Sequence, residues 1–172
     1  MDTNHTALFA GGCFWCMEGA FRTKKGVIDV ISGYAGGTMI QPTYKDVYTG
    51  RAGAREAVLV SYDATVVSYA ELVEFFFTVI DPTDGGGQFA DRGHSYTTAI
   101  FYGTDEERNS AEMVKEKVSL SGTYGRPITV GIETLVPFYP AEVYHQRYEE
   151  KNKEAYEAYY RGSGRKDYFE GK

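Results

Sequence analysis

Cys13 and Cys16 are the two cysteines of a 172-residue chain, and they stand three positions apart in Gly11-Gly12-Cys13-Phe14-Trp15-Cys16. Such a pair has three roles open to it: thiol redox or nucleophilic chemistry, inert packing, or half of a zinc site. Zinc has the weakest support, because a structural site needs four ligands. The chain has no second cysteine pair, and His5, His94 and His145 are scattered singly; no metal site is expected. A reactive thiolate needs surroundings that favour negative charge, and the flanking sequence supplies them. Residues 6–10 read as a buried strand, the glycine pair permits a tight turn, and Phe14, Met17 and Phe21 recur at helical spacing. Cys13 is thereby placed at a helix N-terminus. There, unpaired N–H groups and the positive end of the macrodipole lower a cysteine pKa.

The other elements must hold a partner for that sulfur. Residues 27–34 read as a second strand ended by Gly36-Gly37, and 38–53 as an irregular surface stretch. Residues 56–62 alternate as a third strand with Glu56, Val58 and Val60 on one face. A helix over 68–80 has Ser68 as its cap and Glu71 three residues on. A loop rich in glycine and charge follows over 83–95, then a strand at 96–102, a charged helix at 105–120 and a strand at 128–135. Residues 137–140 read as a turn, 141–160 as a helix, and 162–172 as a tail. This order predicts an α+β fold, a two-layer sandwich whose mixed β-sheet has a ferredoxin-like split β-α-β core, with an irregular C-terminal segment.

If the Glu56 face is buried, desolvation keeps its carboxyl protonated at neutral pH, which makes it an acid; a lone glutamate is more often a solvated carboxylate. Phe14 shares its spacing with the core positions, whereas Trp15 faces differently and suits the wall of a binding site. Tyr44, Asp91 and Tyr96 fall in or beside loops, where site residues often arise.

With 42% hydrophobic residues the chain can bury a sizeable core, and a single domain spanning 1–172 is expected. A net charge of −6 argues against a phosphate-tracking surface, so no nucleic-acid partner is expected. No segment reaches transmembrane length and the start shows no secretory pattern, which predicts no membrane association and a cytoplasmic location. In a reducing compartment two cysteines are better suited to catalysis than to a permanent staple.

Gly11-Gly12-Cys13-Phe14-Trp15 with Glu18, Gly33-Tyr34-Ala35-Gly36-Gly37, Pro42-Thr43-Tyr44, and Gly50, Gly53 and Glu56 together resemble the type A peptide methionine sulfoxide reductases. Asp81-Pro82, Gln88, Asp91, Gly93, Tyr96, Pro137-Phe138, Ala141-Glu142, His145-Gln146 and Tyr148 through Asn152 continue the match in order and approximate spacing. The resemblance implies reduction of the S epimer of methionine sulfoxide, free or in proteins, the reversible rung of methionine oxidation. It implies Cys13 as nucleophile, Phe14 and Trp15 as the methyl pocket, Glu56 as proton donor, and Tyr44, Asp91 and Tyr96 around the sulfoxide oxygen. It implies no bound cofactor, an external thiol reductant (thioredoxin, glutaredoxin or glutathione) and a monomer.

The chain departs from the family pattern in three places. Gly53-Ala54-Arg55-Glu56 stands where many members have Gly-His-Ala-Glu, and residues 85–92 differ from the commoner Gln-Gly-Asn-Asp form. No cysteine occupies the C-terminal region where many members carry resolving thiols. A sulfenic acid on Cys13 then has two routes of clearance: attack by Cys16, or by the external thiol directly. Two other functions use the same motif. One is a thioredoxin-like dithiol-disulfide oxidoreductase through Cys13 and Cys16; the other is a non-catalytic module binding peptides through Phe14 and Trp15.

Overall fold

The computed structural model describes residues 4–171. The opening residues 1–3, read for a targeting pattern, and Lys172 of the expected tail lie outside that description. In chain order the elements are β1 (Asn4–Gly11), α1 (Phe14–Arg22), β2 (Val27–Ala35), α2 (Tyr44–Tyr48), β3 (Arg55–Asp63), α3 (Tyr69–Thr78), β4 (Gly87–Gln88) and β5 (Asp91–Arg92). They continue as β6 (Thr98–Tyr102), α4 (Asp105–Leu120), β7 (Gly131–Thr134), β8 (Phe138–Pro140), α5 (Tyr148–Lys151), α6 (Lys153–Gly162) and α7 (Arg165–Glu170).

Six strands form one sheet in the order β7-β6-β1-β3-β2-β8. The β6–β7 pair is parallel and the other neighbours are antiparallel, so the sheet is mixed. Strand β3 inserts between β1 and β2, with Phe9 opposite Val58 and Val58 opposite Ser32. That insertion is the split β-α-β arrangement expected from the sequence. Helix α1 buries Phe14, Met17 and Phe21 against the sheet with Phe9, Val58 and Val60. Each such side chain contributes about 1.5–3 kcal/mol on leaving water. The opposite face is covered more thinly, by Leu8, Ala57, Ala99 and Phe101 with Phe138 against them. Among the described residues, no helix is long and apolar enough to cross a membrane.

Four local readings change. The stretch 38–53 contains α2, nucleated by a capping box in which Thr43 Oγ1 accepts the Asp46 N–H and Asp46 returns a carboxylate to the Thr43 N–H. Residues 138–140 are an edge strand on β2, because the chain after Pro137 runs straight enough to pair with Gly33–Ala35. The helix expected over 141–160 is broken: Val143–His145 is a single 3-10 turn, and Arg147 adopts the left-handed conformation (φ 53) that separates it from α5. The tail carries α7, whose first residue, Arg165, is 1% exposed.

Candidate active site

The turn between β1 and α1 sets the position of Cys13. Gly12 has φ +81, and a Cβ there would lie 2.6 Å from the Gln88 Cβ, so both backbone conformation and space require glycine. Cys13 is the N-cap of α1, and its carbonyl accepts the Met17 N–H at 3.2 Å. The helix start expected from the sequence is therefore present, and Cys13 is 5% exposed.

Glu56 on β3 is 3% exposed, and its Oε2 accepts the Phe14 N–H at 3.0 Å, in the first turn of α1. Burial pushes its carboxyl well above the usual range, and the Cys13 and Asp91 charges push the same way. The Phe14 N–H and the Tyr96 hydroxyl offset this only in part, so the site favours the protonated carboxyl. Burial raises Tyr44 to about 12, with the Glu56 charge adding to it, and moves Tyr96 further in the same direction. Both phenols remain O–H donors.

Trp15 stacks on Tyr148 at 3.8 Å between centroids and 9° between planes, and its Nε1–H donates to His145 Nδ1 at 3.1 Å. Since Nδ1 accepts, the neutral His145 ring carries its proton on Nε2. Burial lowers the His145 pKa, against the Glu142 charge. The loop holding His145 is tied down by buried Glu18, which accepts Ser32 Oγ–H at 2.8 Å and the Arg147 N–H at 2.9 Å. Gln146 adds to this by accepting the Ser32 N–H at 2.9 Å and donating to the Ser32 carbonyl at 2.8 Å. The broken helix and the left-handed Arg147 thus place an imidazole against the tryptophan.

Cys13, Phe14, Trp15, Tyr44, Glu56, Asp91 and Tyr96 all line one cavity of about 190 Å³. Every one of these seven was singled out from the sequence. Tyr48 and Tyr159 line it too and were missed. Tyr48 follows Tyr44 at i+4 on α2, a spacing that places both on one helix face. Tyr159 belongs to α6 and donates a short hydrogen bond to Asp91; in a chain with 15 tyrosines its type carried no signal.

Cys16 is also buried, at 6% exposure, but lines a different cavity of about 380 Å³ with Tyr156, Tyr160, Arg165 and Phe169. Both thiols are free and interact with each other. Burial pushes Cys13 up, and the Cys16 sulfur adds to that, against Arg165 and Tyr159. Cys16 is also opposed by burial but ends below an ordinary thiol, through its hydrogen bond from Cys13 and the charge of Arg165. Burial thus opposes the helix terminus that was expected to favour a thiolate on Cys13, and the two sulfurs titrate together as a pair.

A cysteine and a buried carboxyl lining one aromatic cavity, on a sheet of this order, define a thiol-dependent oxidoreductase. The peptide methionine sulfoxide reductase family model matches residues 5–172, and the chain belongs to that family in its type A branch. MsrA of Bacillus pumilus is 51% identical over 98% of this chain and 95% of its own, and MsrA of Bacillus subtilis is 47% identical over 95% and 93%. Among solved structures, reduced Mxr1 of Saccharomyces cerevisiae superposes with a TM-score of 0.82 at 32% identity, covering 88% of this chain and 87% of that one. Methionine sulfoxide reductase A of Corynebacterium diphtheriae gives 0.77 at 33%, covering 89% and 77%. Membership assigns the reduction of methionine sulfoxide.

Proposed function

We propose that this enzyme, acting as one domain, reduces the S epimer of methionine sulfoxide through a sulfenic acid on Cys13. The observation that carries the reading is the tie between the Glu56 carboxyl and the Phe14 N–H, one residue from the nucleophile, in a cavity that Trp15 walls. Cys13 sulfur attacks the electrophilic sulfoxide sulfur as Glu56 delivers its proton to the oxygen, which is a poor leaving group until protonated. Tyr44 and Tyr96 donate hydrogen bonds to that oxygen, while Phe14 and Trp15 receive the S-methyl group. Collapse releases methionine and leaves hydroxyl on Cys13: the substrate gains two electrons and the thiol loses two.

Cys16 then attacks the sulfenic sulfur, forming a disulfide and releasing water, and a dithiol reductant reopens it. Direct contact between the two thiols favours this intramolecular route over direct attack by an external thiol. Thioredoxin is the reductant best supported, since yeast Mxr1 is also known in complex with Trx2.

Cys13→Ser should abolish reduction of the S epimer with the fold intact; retained activity overturns the reading. With wild-type protein and substrate but no reductant, mass mapping should find Cys13 bonded to Cys16. A persistent sulfenate on Cys13 would remove Cys16 from the cycle. Disulfide reduction without turnover of methionine sulfoxide would instead mark a general dithiol oxidoreductase.

A further inference from the structure

Arg165 heads the fully buried side chains by size, at 1% exposure, yet the segment that carries it reads in sequence as a tail. A buried guanidinium is costly unless an anion or a full set of acceptors meets it. Among the described residues no carboxylate lies within ion-pair distance of it. Its Nε has no hydrogen-bond partner, its Nη2 meets the Gly11 carbonyl at a long 3.5 Å, and the further polar side chain that it meets, the Tyr159 hydroxyl, is a neutral phenol. The ring of Phe89 lies 4.7 Å beneath it. That leaves a fixed positive charge against the Gly11-Gly12 turn, where Nη2 stands 3.1 Å from the site of a Gly12 Cβ, on the wall of the cavity that exposes Cys16.

The groups around the two sulfurs make this cation unusual. Glu56 on β3 and Asp91 on β5 are acids, and Tyr44, Tyr156, Tyr159 and Tyr160 are phenols kept neutral by burial. None of these supplies positive charge. We propose that Arg165 is the counter-charge of the Cys13–Cys16 pair, set beside the two sulfurs to stabilise a thiolate there. Arg165 is thus a positioning residue that acts through the thiols. As Cys13 attacks, the one proton left to the pair stays with Cys16, so no external base is needed. Only this catalytic consequence rests on Cys13 being the nucleophile; the charge itself is measurable without methionine sulfoxide.

The test is the pH dependence of iodoacetamide alkylation, mapped by mass to each cysteine, in wild type, Arg165→Gln and Arg165→Lys. Wild-type reactivity should titrate below an ordinary thiol, whose pKa is about 8.5. Arg165→Gln should raise the midpoint by about one unit, roughly a tenfold loss of thiolate near neutrality, and Arg165→Lys should restore most of it. A folded Arg165→Gln protein with an unchanged midpoint overturns the inference. Should that variant not fold, the ultraviolet thiolate absorbance of the wild type decides: one thiolate formed below the ordinary range supports the counter-charge, and its absence refutes it.

Discussion

The Glu56 carboxyl accepts the backbone N–H of Phe14 at 3.0 Å, which fixes the acid to the same helical turn that carries the Cys13 sulfur. The two groups come from elements 42 residues apart in sequence, and the sheet register that sets Glu56 opposite Tyr34 aims the carboxyl at α1. One Glu56 oxygen is committed to this anchor, and the Tyr96 hydroxyl also meets the carboxyl.

Glu56→Gln keeps the hydrogen-bonding shape but has no proton to give. The single-turnover rate of methionine release should fall by about 10²–10⁴-fold, the range of a positioned general acid. The raised carboxyl pKa also has a stability signature. The folded state binds the Glu56 proton more tightly than the unfolded state, so its contribution is complete below the unfolded value of about 4.3 and is lost as pH rises through the folded one. Denaturation midpoints should therefore show Glu56→Gln gaining on the wild type as pH increases; parallel curves would mean that Glu56 is ionised in the native protein.

Trp15→Phe keeps an aromatic wall but removes the donor to His145. The Nδ1 of that buried imidazole is then left without its partner, which costs about 1–3 kcal/mol. Thermal unfolding should shift down, and KM for methionine sulfoxide should rise more than kcat falls, because the Tyr148 stack no longer holds the ring in one orientation. An unchanged KM would place Trp15 in packing alone.

Cys13, Glu56 and Trp15 line one cavity; the resemblance grouped them as site residues, and local patterns located the first two. The turn glycine and the helical spacing place Cys13, and strand alternation puts Glu56 on the face of Val58 and Val60, which the structure buries completely. Arg165 and Tyr159 had no such signal. They reach the site only because the chain breaks at Arg147 and folds α6 and α7 back toward the cysteines, a path set by long-range bonds to Glu18 and Ser32. Local propensity reads 141–160 as one helix, and buried hydrogen bonds outweigh it. Strand β8 was hidden for the same reason, since its pairing with β2 is visible only in three dimensions.

Tyr159→Phe removes the hydroxyl that donates to Asp91 and faces Cys13 while keeping the ring against Trp15. A hydrogen bond to a charged group contributes about 1.5–3 kcal/mol, so kcat/KM should fall by about tenfold or more with little change in thermal stability. The alkylation midpoint of Cys13 should move up, since Tyr159 helps to lower it. Equal kcat/KM in the variant and the wild type would show that Asp91 needs no such partner in the reaction.

Asp46→Asn tests whether α2 positions Tyr44. Asp46 is held at about 2 by Thr43, which donates from both its hydroxyl and its backbone N–H, and by Arg51. An amide keeps one acceptor but loses the charge that completes the capping box and the ion pair. The five-residue helix has no further turn to hold Tyr44 and Tyr48 against the cavity, so KM should rise while the chemical step proposed for Cys13 and Glu56 changes less. Because the native pKa is depressed, the stabilisation from Asp46 is complete above its unfolded value of about 3.9 and is lost as pH falls through about 2. Denaturation of the two proteins at successive pH values should therefore show the wild-type advantage shrinking across that acid window. An advantage constant down to the lower end of it would mean that the carboxylate does not hold α2 in place.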